Sequence, residues 1–236
     1  MRQRLSRQDR KQRTRADLVA AAREVFLRRG FHGASLEEIC EQAGYTKGAV
    51  YSNFAGKDEL FLAVLDAHAA GRTRAYAEAT AGAPTLENGL RALSREMTAG
   101  AEADPRWVPV LIEFWTHASR HDDLRRQVSE RHERNLDAIA ALLEGLADRH
   151  GTSFRIPVRE VARGHAATRN GMELERLLDP GIADPPVMEE MTAGFVLGMT
   201  AGGTPAMAAA TDRAAPADDR AAATDRAAAA RDARSA

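Results

Sequence analysis

Cysteine is nearly missing from this chain: of 236 residues, one is a thiol, Cys40. That excludes an internal disulfide and a cysteine-based zinc finger. Aromatics make up 5% of the residues, and few segments rich in Val, Ile, Thr or aromatics alternate with period 2, so strands are not indicated. No apolar run approaches the roughly 18 residues of a membrane span, so no membrane partner is expected. The N-terminus carries arginines but no apolar core of a secretory signal. A cytoplasmic protein is therefore the expectation. Net charge is also lacking, at −1.

Hydrophobic residues, dominated by Ala and Leu, supply 44% of the chain, enough for a core. An all-α protein is the expected fold class. The charge is unevenly placed. Residues 1–57 hold twelve Lys and Arg against six Asp and Glu, whereas the remainder holds 21 against 28. Such asymmetry points to a basic, nucleic-acid-facing N-terminus on an acidic body.

Residues 1–15 hold seven basic residues against Asp9 and read as a basic flexible arm, either a solvated tail or a segment that contacts phosphates. Residues 16–29 read as a first helix, with Leu18, Ala22, Val25 and Phe26 on one face and Gly30 as its stop. Ser35 with Glu38 forms a capping-box pattern opening a helix over 35–43, closed by Gly44. Thr46 is placed to cap a helix over 46–54, on which Ala49, Val50 and Phe54 share the apolar face. "AGKDELF" opens a longer helix, with Asp58 and Glu59 suited to its N-terminal dipole. Helices follow over 85–102, 105–120 (Asp104 as cap, Pro105 first), 122–149, from Pro157 to about Leu178, and 186–200. In the last 36 residues 17 are Ala and "TDRAA" occurs twice. Residues 201–236 read as an Ala-rich disordered tail, with a helix as the rival reading.

Two short helices joined at Gly44–Tyr45 form a helix-turn-helix signature. The second helix must reach into a major groove about 12 Å wide. Lys47 can neutralise a phosphate or reach guanine, and Gly48 lets the backbone approach. Tyr51, Ser52 and Asn53 can bond phosphates or read base edges. Lys57 is placed for a phosphate at the next helix's N-terminus.

The stretch "ADLVAAAREVFLRRGFHGASLEEICEQAGYTKGAVYSNFAGKDELFLAVL" resembles the DNA-binding domain of the TetR (tetracycline-repressor-like) regulators. The match covers about residues 15–65. The resemblance implies an N-terminal three-helix helix-turn-helix domain over 16–60, and a helical effector-binding and dimerisation domain over 61–200. It also implies a homodimer on a palindromic operator of double-stranded DNA, released by a small-molecule effector. The family's DNA contacts fall on Tyr45, Thr46, Lys47, Gly48, Tyr51, Ser52, Asn53 and Lys57, with Ser35 near the backbone. Two positions depart from the family's habit, Gly56 in place of Ser and Asn53 in place of His.

In the body, the resemblance places the effector among the middle helices, which makes Met97, Trp107, Leu111, Phe114, Trp115, His165 and Arg169 the pocket candidates. Such a lining suits an aromatic, lipophilic or weakly anionic molecule. The last two helices resemble the family's dimer-forming pair, with Leu174, Leu178, Met191, Gly194, Phe195 and Gly198 as the interface candidates. Glu113, His117 and His121 recur at helical spacing, but "HASRH" lacks a zincin glutamate, and a surface or pocket-lining face is the reading. No cofactor, metal or catalytic group is expected. The chain reads as a DNA-binding transcriptional regulator, most simply a repressor. A helical ligand-binding or enzymatic protein with a vestigial helix-turn-helix is the rival from another class.

Overall fold

A computed structural model describes residues 6–102, 104–179, 181 and 184–201, without the side chains of 100–102. Residues 1–5 of the expected arm and 202–236 of the expected tail lie outside the described residues. The described chain forms helices α1 (Arg7–Gly33), α2 (Leu36–Ala43), α3 (Lys47–Tyr51), α4 (Lys57–Thr80), α5 (Leu86–Glu102), α6 (Trp107–Ala118), α7 (Asp122–Arg149), α8 (Val158–Leu178) and α9 (Pro185–Gly198). One isolated antiparallel bridge joins Phe154 and Thr200. No helix among the described residues is long and apolar enough to cross a membrane.

α1 starts well before the expected residue 16. Ser6 accepts a bond from the Asp9 N–H at 3.1 Å, and the Asp9 carboxylate accepts from the Ser6 N–H at 3.0 Å. This reciprocal capping box carries the basic run into a helix, so residues 7–15 are not an arm. Nor does Gly30 end α1. Its φ of 74° and ψ of 171° put a kink there, and the chain re-enters helix through Gly33. A Cβ on Gly30 would lie 2.7 Å from a Glu113 oxygen, so two constraints meet at this glycine.

Other helix starts also differ in detail. Glu38 completes no capping box with Ser35, because its carboxylate instead binds Arg28 and Arg29. Asp104 accepts from the Arg106 N–H at 3.3 Å, in a turn that precedes regular α6. Its carboxylate is held by Arg106 and Arg23, and α6 begins at Trp107.

The core has two apolar clusters. The first joins α1, α2 and α3 to the start of α4 and to α6, and its centre is aromatic. Phe61 lies with its ring centroid 4.2 Å from Phe114, 4.9 Å from Phe26 and 5.3 Å from Phe31, in tilted and edge-on arrangements. The second packs the far end of α4 with α5, α7, α8 and α9 around Leu90, Leu93, Leu143 and Leu146. The stripe Leu136, Ile139, Leu143 and Leu146 is buried as its spacing implies. The boundary expected at residue 60 falls inside the first cluster, because α4 is one helix that starts at the head and ends in the body.

Phe61→Ala should cost about 3–5 kcal/mol, since its four aromatic neighbours cannot all close the void. Urea unfolding followed by circular dichroism measures it; a loss under about 1 kcal/mol would show that the cluster does not join head to body.

Candidate nucleic-acid interface

α3 is held from beneath and shown from above. Val50 and Phe54 are buried in the head core and Ala49 is half-buried, whereas Thr46, Lys47, Gly48, Tyr51 and Ser52 are exposed. Tyr51 is 61% exposed, which places its ring outside the core. The turn feeding α3 works because Gly44 adopts the left-handed region, φ 70° and ψ 28°, and its N–H closes on the end of α2. The Tyr45 N–H then reaches Cys40 O at 3.0 Å. Cys40 is buried, and burial pushes its thiol pKa up.

The helix is shorter than expected. Regular α-helix stops at Tyr51, and Ser52 and Asn53 form a turn whose N–H groups still bond Gly48 O and Val50 O. Thr46 sits at the cap position in extended backbone, but its hydroxyl makes no capping bond.

Several expected contact residues are engaged by the protein itself. Tyr45 donates its hydroxyl to Asp17 at 2.9 Å. The Asn53 amide nitrogen bonds Ala49 O at 2.8 Å, so this side chain braces the end of α3 instead of reaching outward. Lys57 does not stand at a free helix start. Its ammonium donates to Ala34 O at 3.1 Å and His32 O at 3.3 Å and lies 4.7 Å from the Phe31 ring centroid. The loop between α1 and α2 leaves those carbonyls without helical partners, and the lysine supplies them. Ser35 Oγ accepts from the Glu38 N–H and keeps its own proton to donate. Lys47 pairs with Glu37 at 2.5 Å across the exposed α2–α3 face. That hydrogen bond raises the Lys47 pKa and lowers that of Glu37.

Two residues that the sequence reading passed over hold this platform. Arg15 lies 4.1 Å over the Phe54 ring and donates to Asn53 O at 2.7 Å. Asp17 anchors Tyr45. Both lie within one turn of Leu18, which is the local signal that could have placed them facing the head. Gly56, at the family's usual serine position, has no side chain to cap α4. Glu59 reaches back to the Ala55 N–H at 2.7 Å instead.

The seven pocket candidates do not share one wall. Phe114 is fully buried between Phe31 and Phe61, so it is core. Trp115 is 37% exposed and faces away from the core. Leu111 is half-buried. Trp107, Met97, His165 and Arg169 belong to a connected polar interior. His68 stacks on Trp107 at 4.3 Å, and His165 Nε2 meets Met97 Sδ at 2.8 Å. Burial, then nearby Arg72, pushes His68 down to about 4; burial, then Arg169, does the same to His165. Two surface depressions, of about 710 and 650 Å³, lie along α7 and between α4 and α7, and none of the seven residues lines either.

Of the six interface candidates, Leu174, Leu178 and Met191 are exposed, joined by Leu177 and Val187, which the sequence reading omitted. Gly194 and Gly198 are half-buried with open space where a Cβ would go. Phe195 turns inward over Gly164 of its own chain, where a Cβ would lie 2.4 Å from the ring. The absent Cβ makes that seat, so Phe195 is not part of the outer face. Glu113 accepts from the His32 N–H at 3.3 Å, while His117 lies 3.3 Å from Asp58 and 4.7 Å, ring to ring, from His121. No group of three metal-ligating side chains is found among the described residues.

Comparison with known proteins bears on both halves. The model of bacterial regulatory proteins of the tetR family matches residues 18–64, and that of the C-terminal part of BetI-type transcriptional repressors matches residues 86–201. The HTH-type transcriptional activator FasR of Mycolicibacterium smegmatis is 48% identical over 54 residues, 23% of this chain and 25% of its own. The HTH-type transcriptional repressor AcnR of Corynebacterium diphtheriae is 32% identical over 132 residues, 56% of this chain and 63% of its own. The chain thus spans less than two thirds of the length of these curated relatives. Among solved structures, one from Pseudomonas aeruginosa PAO1 described as a transcriptional regulator superposes with a TM-score of 0.63. It is 25% identical, with 83% of this chain and 92% of that chain covered. FadR of Bacillus subtilis, solved in complex with stearoyl-CoA, has a TM-score of 0.61 at 15% identity, covering 77% and 96%, which speaks to the fold alone.

Arg15→Gln should speed hydrogen–deuterium exchange of the Ser52, Asn53 and Phe54 amides and leave α4 protected. Unchanged protection at those three amides would mean that Arg15 does not brace α3.

Proposed function

The chain belongs to the TetR family of bacterial regulatory proteins and is a transcriptional regulator, and from that premise we propose that it is a repressor. In this reading a homodimer binds a palindromic operator and a small-molecule effector releases it. The observation that carries the DNA-reading part is the two-sidedness of α3: Val50 is fully buried while Tyr51 is 61% exposed. Thr46, Lys47, Gly48, Tyr51 and Ser52 make the direct contacts, and Ser35 donates to the backbone. Tyr45, Asn53 and Lys57, already bonded within the head, set the pose of α3.

The exposed leucines of α8 with Val187 and Met191 of α9 form the apolar surface on which two copies join. A dimer of this kind sets its two α3 helices about one DNA turn, roughly 34–36 Å, apart. An effector acts by binding one head spacing better than the other, and a few kcal/mol of difference empties the operator. The aromatic bridge through Phe61 and Phe114 gives α6 a direct mechanical link to the head. The effector is an aromatic or lipophilic molecule. The relatives are regulators, a non-enzymatic role, and we assign this chain no reaction. One relative, matched over 54 residues, is an activator, so operator position relative to the promoter separates that second reading from repression.

Lys47→Ala should weaken operator binding and lower the slope of log affinity against log salt by about one, while Tyr51→Ala weakens binding with the fold intact. Gel shifts across a salt series test both; unchanged affinity and slope in the two variants would remove α3 from the interface. Leu178→Glu combined with Met191→Glu should convert the dimer to a monomer in sedimentation velocity. A dimer that persists would place the interface elsewhere.

A further inference from the structure

Arg169 sits on α8 one turn beyond His165 and one turn before Glu173, so the three share one face of α8, from which His165 reaches Met97 of α5. His165 and Glu173 are buried. The guanidinium of Arg169 donates through Nη2 to the neutral Asn170 Oδ1 at 2.8 Å, and its Nε is shielded from solvent with no hydrogen-bond partner. Facing it from α4 is Arg72, whose Nε donates to the Tyr76 hydroxyl at 2.5 Å and whose Nη2 donates to Met97 O at 3.0 Å. Neither arginine has a carboxylate within 4.0 Å among the described residues. Every other ion pair of the body helices involves different arginines. Glu173 is the nearby acid, and it leans toward Arg176 at 4.0 Å.

An arrangement of this kind is costly in a protein that is never occupied. Arg169 and Arg72 are half-buried, and Arg169 Nε is fully shielded; a guanidinium stays charged, and a shielded charge without a matching group is destabilising. Surface arginines on the same chain find carboxylates readily, as Arg159 and Arg163 do with Glu133. Apart from Glu173, which also serves Arg176, the pair faces neutral groups: two imidazoles, a phenol, an amide and a thioether.

We propose that this interior is the head-group site for an organic monoanion, a carboxylate whose apolar body lies against Tyr76, Met97 and Trp107. The inference rests on the effector-responsive reading above and names the effector's chemical class. Arg169 Nε–H is the open donor, and the Asn170 oxygen on Nη2 is a neutral stand-in that a carboxylate displaces to make a paired, charge-assisted contact. Arg72 supplies the second charge from across the site. His68 and His165 stay neutral and add no charge of their own. Met97, unbranched and held only by soft contacts, is the side chain best able to shift and admit the apolar body.

The test uses the full chain, two carboxylates and their uncharged counterparts: decanoate with 1-decanol, and 2-naphthoate with 2-naphthalenemethanol. Decyl phosphate serves as the dianion. Binding is followed by calorimetry and by tryptophan fluorescence in a Trp115→Phe background, which leaves Trp107 as the one indole. At least one carboxylate should bind about tenfold tighter than its alcohol, a factor that one unscreened charge contact readily supplies. Arg169→Met should reduce that preference to less than about threefold and, because it removes an unmatched shielded charge, raise the melting temperature of the ligand-free protein by roughly 2–4 °C. Arg169→Lys, which keeps the charge, should keep part of the preference. No carboxylate preference in the parent chain, a preference undiminished in Arg169→Met, a fall in its melting temperature, or decyl phosphate outbinding decanoate would each overturn the assignment. Gel shifts with the same preparations keep the two readings apart. Carboxylate binding without any DNA binding sinks the regulator and leaves the site, whereas DNA binding without carboxylate preference does the reverse.

Discussion

The fold hangs on the edge-on and tilted packing of Phe26, Phe31, Phe61 and Phe114. These four rings are each almost completely buried, and they come from three helices, α1, α4 and α6. With aromatics at 5% of the chain, spending four of them at one point is a large fraction of the large-residue content. The consequence is mechanical. α1 carries Arg15 and Asp17, which brace α3, and α6 belongs to the body by chain order but to the head by packing. A rigid, close-packed junction passes a displacement of α6 to α3 instead of absorbing it.

The exposed polar face of α3 is built at no cost to the core. Val50 and Phe54 anchor α3, Gly44 turns the chain without strain, and internal bonds satisfy the side chains that could otherwise wander. Tyr45, Asn53 and Lys57 are spent on this internal order. What remains outward on α3 is small, polar or cationic, with Tyr51 as the one large ring. That is a surface suited to phosphates and base edges and poorly suited to packing against protein.

Local pattern made α2, Gly44, α3's apolar face and the Leu136–Leu146 stripe legible, because each depends on neighbours within a turn or two. The internal contacts that local pattern leaves hidden share a different cause. Lys57 is turned inward by carbonyls 23 and 25 residues away, and Tyr45 is tied to Asp17 across 28 residues. Phe195 folds over Gly164, a partner 31 positions earlier that a helical stripe on α9 cannot reveal. The early start of α1 was local and readable: Ser6 and Asp9 hold the spacing of a capping box, outweighed in the reading by the density of basic residues around them. The pocket candidates divided because an apolar stripe on α6 serves the head core at Phe114 and the polar interior at Trp107.

Selection of bound sequences from random double-stranded DNA by the full chain tests the central claim most directly. The account predicts a strongly enriched palindrome whose half-site centres lie about 10 base pairs or a multiple apart. Recovery of no shared sequence at low salt, or of a motif lacking two-fold symmetry, would contradict it.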